Sequence, residues 1–336
     1  MTSPLTAVRA TGCLFLTASL LMAVCPGYCV SKGWQLLRTD NFSDGLAIFA
    51  LTFVTPEHGW ALTPSQLLET TDGGATWTTR LESEEAERSF GSLLFVNPAT
   101  GFIVGTQSKG RAYTVMILRT NDGGATWQEQ QADVAPEDDL RASPRLHSIS
   151  FCDSNTGWAV GEGLILHTSD GGQSWETQRR GNKEERLFSV ACESSERAWA
   201  VGQQGLVVQT TDGGRNWDRQ SVGIDATFVR VRFFGDDGWI MGGRGGQGAL
   251  LHKRAGEVKW ERLKLDAPEV PLDIYLNDRR GWLVGTTGLV SHTEDGGQTW
   301  WRERVPTNND LTSLFFITPQ QGWAGGSKRT LLRYSD

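Results

Sequence analysis

Past its first thirty residues the chain is almost without cysteine: of five in all, only Cys152 and Cys192 remain. That excludes a disulfide framework and a cysteine-built zinc centre, both of which need several thiols. Histidine is equally sparse. His58, His147, His167, His252 and His292 show no ligand spacing, and His167 and His292 fall at equivalent places of separate repeats, so no metal site and no cofactor is expected. Positive charge is in deficit, with 32 Lys and Arg against 39 Asp and Glu and a net charge of −7. A general nucleic-acid binder would be basic overall, so nucleic acid is not an expected partner. Nucleophile-elbow, phosphate-loop and dinucleotide fingerprints are missing as well, in any strand–turn–helix context.

Long apolar runs are absent except for one. Thr11 to Val24 follows Arg9, the only charge before it, and leads into Cys25-Pro26-Gly27. A positive start, an apolar stretch of this length and a small-residue exit read as a signal peptide or N-terminal membrane anchor over residues 1–30. Export to a periplasm or a thylakoid lumen is the expectation. Cleavage, lipidation at Cys25 and retention as an anchor all stay open, since Val24 and Pro26 suit none of them well.

What the chain has in abundance is glycine and tryptophan, 40 and 14 residues, and both recur in register. D-G-G-x-x-W stands at Asp72–Trp77, Asp122–Trp127, Asp170–Trp175, Asp212–Trp217 and Asp295–Trp300. Each copy sits between two strand-like runs. Its Asp can accept from the N–H groups of its own turn, and its glycines allow positive φ. A second signal repeats independently: an apolar run, a short turn and Gly-Trp, centred on Trp60, Phe102, Trp158, Trp199, Trp239, Trp282 and Trp323. Periods near forty residues with several short alternating runs apiece predict four-stranded propeller blades.

Seven units and five good turns leave two exceptions. In the fifth unit the turn has decayed to Lys253–Trp260, and the seventh ends at Asp336, one strand short. Gly33-Trp34-Gln35-Leu36-Leu37 begins with the Trp that marks every fourth strand, so it is expected to pair with the C-terminal blade. The expectation is therefore an all-β, seven-bladed propeller over residues 31–336, closed by the strand around Trp34, with no exposed sheet edge at the seam. The unit between Phe102 and Trp158 is longer than the rest. Its extra residues are assigned to an extended loop over Thr106–Ala112 and a mobile surface loop over Gln128–Arg145. Cys152 follows the strand-ending Phe151, whereas Cys192 occupies the equivalent Phe position itself. Alternation then puts the two thiols on opposite strand faces and argues against a bridge.

The repeated aspartates cannot share a substrate, because they lie one to a blade on outer hairpins. D-G-G-x-x-W also marks the sialidases, but the Arg-Ile-Pro stretch of those enzymes does not occur, and no Tyr–Glu pair stands out. The chain is read as a non-enzyme. Charge placement is more informative. Loops joining a fourth strand to the next first strand share a face with second-to-third strand turns. On that face Glu82, Glu84, Glu85, Glu87, Glu137, Asp138 and Asp139 give an acidic arc, and Arg179, Arg180, Lys183, Arg186, Arg230 and Arg244 a basic one. Arginine forks pair with carboxylates and also lie flat on apolar surface, so Arg179, Arg180, Arg186, Arg230 and Arg244 are the candidate partner site.

An export signal, a single Asp-box propeller and a C-terminal GW…LLRY strand together resemble the photosystem II stability and assembly factor family of cyanobacteria and chloroplasts. The resemblance runs from about Trp34 to Asp336. It implies a non-enzymatic, chaperone-like factor on the lumenal or periplasmic side of a membrane, holding a newly made reaction-centre subunit during assembly. It also implies that arginines make the contact. The alternative is a general exported interaction or adhesion propeller that binds another envelope protein or a glycan.

Overall fold

Short apolar runs such as Gly157–Gly161 (GWAVG) and Ala198–Gly202 (AWAVG) carry no polar residue on either face, and all their residues are buried. A strand with two apolar faces needs cover on both sides. Packing blade against blade supplies it. The computed structural model of the protein describes residues 33–38, 47–83, 88–109, 112–134, 145–182, 184–265 and 268–336, and the expected export segment, residues 1–30, lies outside them. Among the described residues the strands form seven sheets. In each, the first strand lies innermost and touches the first strands of the neighbouring blades, while outer strands such as Thr78–Glu82 face solvent.

Blade 1 comprises Ala50–Phe53, Gly59–Leu62, Gln66–Thr70 and Thr78–Glu82, paired in that order. Blades 2 to 6 repeat the arrangement, with first strands Arg88–Phe95, Leu146–Phe151, Leu187–Cys192, Thr227–Phe234 and Pro271–Asn277. Blade 7 combines Leu311–Thr318, Gln321–Gly326 and Leu331–Ser335 with the N-terminal strand Gly33–Arg38. Trp34 stands opposite Tyr334, as expected from the Trp that opens each fourth strand. Its ring packs 5.3 Å from Tyr334 and 5.9 Å from Phe316.

The repeat is a packing code. The second-strand Trp of one blade stacks on the Phe that ends the next blade's first strand, as Trp323 does on Phe53 at 3.7 Å and Trp60 on Phe95 at 6.0 Å. The same Trp also fixes the second glycine of the D-G-G turn. A Cβ on Gly124 would lie 2.5 Å from the Trp60 ring, and Gly124 has φ +94°, so two independent constraints leave only glycine. Trp260, all that remains of the decayed turn in blade 5, keeps its packing place edge-on to Trp199 at 5.3 Å.

Three expectations need correction. Cys152 and Cys192 form a disulfide between blades 3 and 4, with Cα atoms 5.3 Å apart. The alternation argument requires both residues to lie within strands, but Cys152 is the first residue past Phe151, where the chain already turns and the Cys152 N–H donates to Thr156 O. Thr106–Ala112 is not a loop added to a short hairpin. Strands Gly101–Lys109 and Ala112–Thr120 run long and pair up to Lys109 and Ala112. Part of Gln128–Arg145 is ordered as well: Gln128–Glu129 ends blade 2, and Gln131–Asp133 pairs parallel with Ser174–Arg180 as a fifth strand of blade 3. The Thr177 hydroxyl anchors that strand by donating to Asp133 O.

Candidate docking face and central channel

The shared face follows from backbone bonds that tie the two kinds of loop together. Gly163 N donates to Glu185 O, and Gly181 N to Gly163 O, so the second-to-third turn of blade 3 is knitted to the connection into blade 4. Gly205 N to Ala226 O and Ser83 N to Ser65 O repeat the pattern in blades 4 and 1. Arg179 and Arg180 end the strand Ser174–Arg180 on this face, and Arg186 immediately precedes the strand Leu187–Cys192. Arg244 ends the strand Asp237–Arg244 in blade 5. Of the acidic arc, Glu82 is described and accepts from Gln66 Nε2; Glu84, Glu85, Glu87, Glu137, Asp138 and Asp139, with Lys183 of the basic arc, lie outside the described residues.

The arginines are less uniformly available than their spacing suggests. Arg179 pairs with Glu185 at 3.0 Å and Arg186 with Glu162 at 3.7 Å, and Arg244 is ion-paired with Asp225. These pairs are partly or largely exposed, so each holds its arginine only weakly against a competing carboxylate. Arg180 and Arg186 are exposed, and Arg244 more so, its side chain 70% accessible.

Arg230 is different in kind. It belongs to the first strand of blade 5 and points into the central channel, where it lines both a mouth of about 440 Å³ and the deeper bore. At one shared register of the first strand, opposite Val104, Val160, Val201 and Gly325 of the second, blades 2, 3, 4 and 7 carry Ser92, Ser148, Ser189 and Ser313. Three of these hydroxyls accept from the next blade: Ser148 from Val190 N at 3.2 Å, Ser189 from Val231 N at 3.1 Å, and Ser313 from Leu51 N across the closure at 3.0 Å. Blades 5 and 6 replace the serine by Arg230 and Asp273. Asp273, fully buried, keeps the acceptor duty by taking Leu314 N at 3.0 Å. It also accepts Ile274 N at 3.0 Å and a bidentate fork from Arg232, both contacts 3.1 Å. Burial alone would raise the Asp273 carboxyl, but Arg230 and Arg232 outweigh it and hold the group below the usual carboxylate range. Arg232 and Asp273 escape a search for surface charge runs. Aligned repeats would have exposed Asp273, because it and Arg230 interrupt a column of serines.

Around the mouth stand Phe49, Phe188, Val229 and Leu272, with His147 among them, 5.5 Å from Phe188. Burial, then the charges of Arg145 and Arg186, pull His147 down to about 4, so it is neutral at pH 7. His167 and His292 lie in blades 3 and 6, each beside a carboxylate of its own blade, Glu176 at 3.1 Å and Glu303 at 2.9 Å. Tyr275 is stacked 4.7 Å from Phe316, and Tyr334 accepts from Arg280 at 2.9 Å, so both serve packing.

The model of the photosynthesis system II assembly factor YCF48 family matches residues 83–184, 178–275 and 269–335. A photosystem II assembly protein Ycf48 of Synechococcus sp. (strain JA-2-3B'a(2-13)) is 39% identical over 64 residues, 18% of this chain and 19% of the relative. A photosystem II assembly lipoprotein Ycf48 of Prochlorococcus marinus (strain NATL2A) is 44% identical over 55 residues, 16% of this chain and 15% of the relative. The aligned stretches thus span less than a fifth of these relatives' lengths. Among solved structures, YCF48 bound to a D1 peptide superposes with a TM-score of 0.68 at 23% identity, covering 90% of this chain and 97% of that one. At that identity the superposition speaks for the fold.

Proposed function

The chain belongs to the photosynthesis system II assembly factor YCF48 family, and from that premise we propose that it holds a photosystem II reaction-centre subunit while the complex is assembled. The family match across blades 2 to 7 is the observation that carries the reading. The solved YCF48 is bound to a D1 peptide, which supports the class of partner proposed here, a segment of a membrane-protein subunit. The protein acts as a non-enzymatic binding factor on the exported side of a membrane, in a periplasm or thylakoid lumen. Its N-terminal segment supplies membrane association, in keeping with the lipoprotein naming of a relative.

The docking surface in this proposal is the basic arc of the loop face: Arg179, Arg180, Arg186 and Arg244 on the rim, with Arg230 set back in the channel. Partly exposed arginine–carboxylate pairs suit exchange, since an incoming acidic segment trades one weak ion pair for another and adds contacts of its own. Changing Arg180, Arg186 and Arg244 together to Glu is expected to abolish capture of the reaction-centre subunit from solubilised thylakoid membranes. The melting temperature should change little, because exposed ion pairs contribute only about 0–1 kcal/mol each. Undiminished capture by a folded triple variant removes the rim from the proposal. An envelope partner recovered in place of a photosystem II subunit favours the general interaction propeller.

A further inference from the structure

Five side-chain donors on Arg230 have little to bind. Its Nη2 reaches Thr312 O at 3.3 Å, and its nearest approach to Asp273 is Nε to Oδ1 at 3.5 Å. Nε has no hydrogen-bond acceptor among the described residues. The reason lies next door. Asp273 already receives two backbone N–H groups and both arms of the Arg232 fork, which fills the bonding directions of its two oxygens. One carboxylate is thus satisfied by one arginine, and the second guanidinium is left as the surplus charge of this cluster. Only 21% of the Arg230 side chain is accessible, so water meets this shortfall over a small part of its surface.

Arg230 helps keep the buried Asp273 ionised, but the hydrogen bonds of the belt do not call for a second guanidinium. Serine at this position accepts from the next blade in three other places, a duty arginine cannot perform, having donors only. Where serine would have received Ile274 N, Asp273 takes that donor back onto its own oxygen. Arginine here breaks the pattern that holds the ring, and its donors point toward a cavity with an apolar collar.

We propose that the channel mouth is a binding site for a carboxylate carried on an apolar body, with Arg230 receiving the carboxylate and Phe49, Phe188, Val229 and Leu272 enclosing the body. The chemistry selects a planar anion, because a guanidinium fork matches two carboxylate oxygens at once. Arg145 lines the same mouth and adds to its attraction for an anion. His147 adds no competing positive charge at neutral pH and completes the collar. The site shares Arg230 with the proposed docking surface, but it is argued from the channel mouth and is tested by probes that do not need the rim arginines. A free small acid and an acidic side chain on an apolar protein segment share this chemistry.

The test uses the whole propeller and two probes: hexanoate, and a capped Ala-Leu-Glu-Leu-Ala peptide. Titration calorimetry is run on the native protein and on Arg230→Ser, which restores the belt residue. Circular dichroism and melting temperature confirm that the variant is folded, and Arg230→Met serves as a second variant if it is not. Binding of either probe that weakens about tenfold or more in the variant, and equally when the probe's carboxylate is replaced by an amide, supports the site. Preference for hexanoate identifies a small-acid site, and preference for the peptide a segment-binding site. Two results overturn the proposal: neither probe binds, or binding is the same for acid and amide or for native and Arg230→Ser protein.

Discussion

Asp72 shows what one side chain does in each of the five blades that keep the D-G-G turn. One oxygen accepts Thr76 N at 2.9 Å and the Thr70 hydroxyl at 2.8 Å, and the other accepts the Thr76 hydroxyl at 2.6 Å. Thr70 in turn receives Gly74 N at 2.9 Å, and Trp77 closes the turn by donating to Gly74 O at 3.0 Å. Asp72→Ala removes a cap of the same chemistry as a helix N-cap, so chemical denaturation should show a loss of about 1–2 kcal/mol. The Thr76 side chain, followed by its backbone N–H, lowers the Asp72 carboxyl to about 2 from 3.8. Asp122, Asp170 and Asp295 are likewise held at about 2. Because these values are depressed in the folded state, their contribution is complete above pH 4 and lost as pH falls toward 2. Melting temperature is expected to drop across that window, and less steeply per box in Asp72→Asn, which does not titrate. This role was legible in the sequence, since a repeated Asp-Gly-Gly between strands has few other uses. The Arg230–Arg232–Asp273 cluster was not. It joins residues from two blades, and only register between repeats brings them together.

At the scale of the element, legibility tracked the length of the repeated pattern. Strands marked by Gly-Trp came out as read, and so did the N-terminal strand, because Trp34 carries the same mark. The insert in blade 2 has no repeat to compare with, so nothing in its composition distinguishes a loop from strands that lengthen a hairpin. Gln131–Asp133 is ordered by a neighbour, the exposed edge of Ser174–Arg180, which a local reading cannot see. The bridge Cys152–Cys192 failed for the opposite reason: strand alternation was carried one residue beyond the strand. Blade 4 lacks the stacking Phe at Cys192, and the disulfide ties it to blade 3 at that same place. Replacing both cysteines by Ser should lower stability by about 2–4 kcal/mol, and reduction of the native protein should lower its melting temperature similarly. An unchanged melting temperature on reduction would mean that stacking alone holds that seam.

The whole molecule divides labour between its concentric layers. Buried second strands carry the stacking aromatics, and second and third strands are much alike from blade to blade. Outer strands meet solvent, and the innermost strands and loop face hold the features that make blades unlike one another. Function is sought where the repeat is broken, whether at the rim arginines or at the paired charges in the channel. Closure has a further meaning in time. The strand Gly33–Arg38 leaves the ribosome before the blades, yet its partner Leu331–Ser335 follows all the other described strands in the chain. The ring can therefore shut only once Leu331–Ser335 is free to pair. Until then both partner edges stay open, for as long as the intervening blades take to emerge.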